Sequence, residues 1–129
     1  VGSEMCIRDR EGGRLVVEQY LREHAWDIDV IYSHNDDMAL GAVDALEAAG
    51  IQPGRDVKII SVDGTEEAVK ALEEGRLNCV VECSPLLGPQ LMKAVTDLMS
   101  GKELPLRIIT DERVFTAQTP REELRGRKY

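Results

Sequence analysis

The sequence predicts an open α/β sheet, because short β-branched apolar runs alternate along it with longer stretches whose apolar residues recur at helical spacing. Punctuation agrees with that alternation. Polar, turn-forming residues follow each apolar run, and glycines (Gly50, Gly75 and Gly101) stop three of the four helical stretches. Strands that are joined by helices lie side by side through right-handed crossovers. The expected product is therefore a parallel sheet covered by helices on both faces.

The elements follow in order. Residues 1–10, VGSEMCIRDR, carry neither periodicity and are set aside as an extension outside the fold. From Gly12, the positions Val17, Tyr20, Leu21 and His24 outline a helix, and Ile28 to Tyr32 read as a strand. Trp26, between the two, is expected to pack against the sheet edge. Asn35 is an N-cap followed by two carboxylates, Asp36 and Asp37, which suit the positive end of a helix dipole. Behind them Met38, Ala42, Ala45, Leu46 and Ala49 form one apolar stripe. Gln52 to Asp56 is turn chemistry, and Val57 to Val62 is a second, buried strand. Thr65 caps a third helix with Ala68, Val69 and Leu72 facing inward, and Cys79 to Val81 is a third strand. Leu87, Leu91, Ala94, Val95 and Leu98 give a fourth helix, and Arg113 to Thr116 a last strand before a charged tail.

Composition narrows the function. A chain of 129 residues with 43% hydrophobic and 31% charged residues suits one globular domain, too short for two full lobes. Its net charge of -8 opposes binding to nucleic acid or to anionic membranes, since both surfaces repel an acidic protein. Three cysteines, Cys6, Cys79 and Cys83, show no metal-ligand spacing. Cys79 and Cys83, four apart in extended chain, stand about 13 Å apart and are out of disulfide reach. No cofactor motif and no metal site is expected. Val1 to Arg10 lacks the apolar core of a secretory signal.

Ligands of open α/β sheets bind where strands end at their carboxyl termini. Three polar clusters occupy such places: Ser33-His34-Asn35-Asp36-Asp37, Asp63-Gly64-Thr65 and Glu82-Cys83-Ser84. Asn35 and Asp63 are expected at the ends of adjacent parallel strands, on one side of the sheet edge. An amide offers donors and an acceptor, and a carboxylate accepts two hydroxyl protons, which is what neighbouring hydroxyls of a sugar require. Taken singly, each residue also has a purely structural explanation: Asn35 and Asp36 as helix caps, Asp63 as the first residue of a turn. An enzymatic reading finds little. No glycine-rich phosphate loop follows the first strand, and no Ser or Cys nucleophile is paired with His34.

The strings HNDDMALGAVDALEAAG (34–50) and VKIISVDGTEEAVKALEEGRLNCVVECSP (57–85) resemble the distal half of ribose-type periplasmic sugar-binding proteins. The resemblance runs from Gly13 to the C-terminus and includes the N-D-x-M-A-x-G-A motif, the D-G-T turn and an E-G-x-L helix end. It implies an incomplete lobe of the type I periplasmic-binding-protein fold, with Asn35 and Asp63 contacting ligand. The family often places a Gln where this chain has Cys83, beside Glu82, so these two are the candidates for a third contact. VECSPLLGPQ and the closing Arg-Lys-Tyr resemble the galactofuranose-binding branch. The implied organisation is an extension at 1–10, a partial distal lobe at 11–84, and a segment at 85–129 that returns to the proximal lobe and ends in a tail. The implied function is binding of a monosaccharide (galactofuranose, ribose or galactose) in the periplasm for the membrane permease of an ABC importer. The effector domain of lactose-repressor-type regulators resembles the chain too. Those regulators carry Phe-Asp-Asp after the second strand, whereas Val62-Asp63-Gly64-Thr65 stands here.

Overall fold

Asp9 opens the first helix, its carboxylate accepting the Gly12 N–H at 2.8 Å as an N-cap. The structure, a computed structural model, describes residues 9–24, 27–119, 121–124 and 129, so Cys6 and Trp26 lie outside the described residues. Helix α1 spans Arg10–Glu23, and Arg10 bonds Asp44 and Glu67 on two other helices. Positions 9 and 10 of the segment set aside above are thus part of the fold. Their cap and ion pairs depend on partners distant in sequence, which local periodicity does not register.

Helix α2, Asp36–Ala48, lies directly against α1. Two glycines allow the approach. A Cβ on Gly41 would collide with the Arg10 carbonyl, and one on Gly13 with the Met38 backbone. The glycine of the N-D-x-M-A-x-G-A motif is therefore a packing residue. Gly50, at φ 76°, ends the helix as expected.

Strands β1 (Val30–Tyr32), β2 (Lys58–Asp63), β3 (Cys79–Glu82) and β4 (Val114–Thr116) form one sheet in the order β1-β2-β3-β4. The first three are parallel. β4 runs antiparallel to β3, with Phe115 opposite Val80. This differs from the all-parallel sheet expected. Strand direction depends on the path of the connection: after the helix at 88–99 the chain returns through an irregular segment and enters the sheet at the edge beside β3 in the opposite sense.

The register sorts the side chains into two faces. Ile59, Ser61, Val80 and Phe115 share one face, each at most 1% exposed, beneath α2 and helix α3 (Glu66–Glu73). Leu40, Val43 and Leu46 of α2 and Leu72 of α3 complete this core. Val30, Tyr32 and Val114 lie on the other face and are exposed. The sheet is thus covered on one face rather than both, because α1 packs chiefly on α2 and no other described helix crosses the second face.

Helix α4, Gly88–Met99, has the expected stripe but buries none of it, and Leu91 and Leu98 are more than 60% exposed. Leu87, Leu91, Ala94 and Ile108 instead line an open apolar groove. A short helix α5, Arg121–Leu124, places Leu124 in the core. Residues 85–129 thus contain both α4, whose apolar stripe is exposed, and β4 and Leu124, which join the sheet and the core respectively. Native-state hydrogen exchange should reflect this division. Amides of α4 are expected to exchange fastest among the helices longer than one turn, and Phe115 to be protected with β2 and β3. Equal protection of α4 and β3 would contradict the arrangement.

Candidate functional site

Three loops meet at the carboxyl ends of β1, β2 and β3. Backbone pairing carries past the strands: Ser33 N–H donates to the Ile60 carbonyl at 2.8 Å, and Cys83 N–H to the Asp63 carbonyl at 2.9 Å. Asp63, the last residue of β2, thus sits between the β1 and β3 loops, and its strand partner is Glu82. Asn35 and Asp63 lie at the same end of adjacent parallel strands.

Asn35 caps α2. Its side-chain oxygen accepts the Met38 N–H at 2.8 Å, and the Ser33 hydroxyl holds its backbone carbonyl at 2.8 Å. The capping role weighed from sequence is therefore real. Asp63 is half-buried and has a φ of 119°, the sole positive value at a non-glycine among the described residues. Such a backbone costs about 1–3 kcal/mol and persists only where its surroundings impose it. Gly64, at φ 85°, continues the turn, and the Thr65 side chain caps α3 at the Ala68 N–H.

Behind this turn stands Asp36, a residue read from sequence as a helix-end carboxylate. Asp36 is 1% exposed and accepts from the Ser61 hydroxyl, the Gly64 N–H at 2.8 Å, and both the Thr65 N–H at 2.6 Å and its hydroxyl at 2.9 Å. It is the one acidic residue buried among the described residues. Four donors satisfy it, as a buried carboxylate requires. Its position directly after a capping Asn gave no sign of this, since every partner comes from β2 or the loop after it.

Glu82 and Cys83 reach the same edge by different routes. Glu82 Oε2 accepts the Arg113 N–H at 3.1 Å and Oε1 accepts the Tyr129 hydroxyl at 2.9 Å, so the carboxylate joins β3 to the segment entering β4 and to the chain end. Tyr129 also accepts the Glu66 N–H through its carbonyl, at the start of α3. Cys83 is exposed, whereas burial pushes the half-buried Cys79 thiol above its ordinary pKa. His34 is exposed and meets Tyr32 edge to face at 5.5 Å. Among the described residues no group of His, Cys, Asp and Glu could hold a metal ion, and no helix is long and apolar enough to cross a membrane.

Comparison with known proteins places this architecture. Residues 4–103 match the family model described as "Periplasmic binding protein domain". The galactofuranose-binding protein YtfQ of Escherichia coli is 30% identical over 122 residues, 92% of this chain and 38% of its own length. A Mycobacterium smegmatis protein in complex with β-D-fucofuranose is 44% identical, with a TM-score of 0.77 over 84% of this chain and 35% of that one. The binding-protein component of the arabinose ABC transporter of Shewanella sp. ANA-3, bound to L-arabinofuranose, is 37% identical, with a TM-score of 0.80 over 90% of this chain and 39% of that one. The transcriptional repressor MelR of Bacillus subtilis is 33% identical over 110 residues, 85% of this chain and 31% of its own. The chain spans less than two fifths of the length of each of these relatives. With most of its length inside the family model and its backbone superposing on these structures, the chain belongs to the periplasmic binding protein family.

Proposed function

We propose that this chain is part of the sugar-binding component of an ABC importer and that its ligand is a monosaccharide in the furanose form. The observation that carries the reading is the placement of Asn35 and Asp63, an amide and a carboxylate, at one strand-end edge, in a chain whose relatives named above hold galactofuranose, fucofuranose and arabinofuranose. Cys83, beside Asp63, and Glu82 are the candidates for a further contact. Such a protein works outside the cytoplasmic membrane, in the periplasm or its equivalent, and delivers the sugar to a permease without catalysing a reaction.

The lobe in this reading is 9–84 together with β4, and 88–110 belongs to a second lobe that closes over the sugar. The exposed stripe of α4 supports that division, since an apolar helix face of this kind is normally buried. One lobe leaves the polar contacts open to water, where each is worth about 0.5–1.5 kcal/mol, too little to offset immobilising a sugar. Calorimetric titration with D-galactose, D-fucose and L-arabinose, whose solutions contain furanose forms, tests this. The two-lobed protein should bind at least one of them in the micromolar range or tighter, and the 129-residue chain none better than millimolar. Micromolar binding by the isolated chain would overturn the two-lobe reading. The MelR match supports a second reading, an effector domain of a transcription regulator. The encoding gene decides between them: a helix-turn-helix upstream favours the regulator, a secretory signal the importer.

A further inference from the structure

Asp36 stands immediately behind the strand-end edge, and its four donors come from three residues that flank Asp63 in sequence: Ser61 before it, Gly64 and Thr65 after it. Three of those donors converge on Oδ2, so the carboxylate grips both peptide N–H groups that follow Asp63. Asp63 is also the residue with the positive φ, 119°, which an Asp adopts only under constraint. The chain thus has a strained backbone at a candidate ligand contact and, on the same turn, a buried anion that binds the turn down.

We infer that Asp36 is a positioning residue: its carboxylate fixes the Gly64-Thr65 turn and so keeps the Asp63 backbone in the conformation that sets the Asp63 carboxylate at the strand-end edge. The charge matters, because bonds to an ionised acceptor are about twice as strong as neutral ones, and one oxygen serves three donors. Without it two backbone N–H groups lose their partner and the turn relaxes toward ordinary extended dihedrals. Asp36 itself, at 1% exposure, has no surface to offer a ligand, so its effect on binding passes through Asp63. The inference rests on the sugar-site reading only for its effect on affinity.

Two readouts test it. The first is the three-bond coupling between the amide and α protons of Asp63 in the 129-residue chain, measured by NMR without sugar; it is small at this φ and large in extended backbone. The second is the affinity of the two-lobed protein for L-arabinose or D-fucose, whichever the unmodified protein binds. Asp36→Ala should raise the coupling to extended-strand values and weaken binding on the order of tenfold to a hundredfold. Asp36→Asn, which keeps one oxygen for the three donors but loses the charge, should move both in the same direction by a smaller amount, with a measurable rise in coupling and a loss of about threefold or more in affinity. Where Asp36→Ala does not fold, Asp36→Asn decides: a rise in coupling together with a loss of about threefold or more in affinity supports positioning. An unchanged Asp63 coupling in a folded Asp36 variant overturns it, even if affinity falls. A changed coupling in a protein that binds none of these sugars upholds the positioning role and removes the sugar reading instead.

Discussion

Phe115→Ala is expected to lower the stability of the 129-residue chain by about 3–5 kcal/mol, the ordinary cost of removing a fully buried aromatic ring from a core. Phe115 is 1% exposed and lies across from Val80 on the edge strand β4, although more than thirty residues, α4 among them, separate it in sequence from β3. Losing the ring leaves a cavity against Val80, on the face of the sheet that α2 and α3 cover. Urea denaturation followed by circular dichroism measures the change. Leu91→Ala on α4 is the comparison: with Leu91 63% exposed, its effect should stay within about 0.5 kcal/mol. A loss below about 1 kcal/mol for Phe115→Ala would mean that β4 is not part of this core.

Asp63→Ala in the two-lobed protein should weaken sugar binding by about 2–4 kcal/mol, roughly thirtyfold to a thousandfold, because buried sugar hydroxyls lose their charged acceptor. Alanine also removes a side chain that tolerates positive φ, so part of the loss could come from the backbone. Asp63→Asn separates the two effects. Asparagine adopts positive φ as readily as aspartate, and its amide retains one acceptor while losing the charge. A deficit shared by both variants belongs to the carboxylate, and a deficit confined to Ala belongs to the turn. Calorimetric affinities unchanged in both would remove Asp63 from the site.

Much of this protein was legible in local patterns. The apolar runs at 57–62 and 79–81, the Asn35 cap with its stripe through Ala49, and the stops at Gly50 and Gly75 each act within a few residues, so the sequence alone located three strands and the helices between them. The same locality placed Asn35 and Asp63 at neighbouring strand ends, since parallel strands joined by helices must all end on one edge. What spacing could not supply were pairings between distant segments. The direction of β4 depends on how the chain returns after α4, and the open second face depends on which helices reach it. The roles of Asp36, Arg10, Glu82 and Tyr129 depend on partners 25 to 63 residues away. A carboxylate in the first turn of a helix looks the same in sequence whether it faces water or four buried donors, because the distinction lies in the elements packed around it, and only the tertiary structure brings those together.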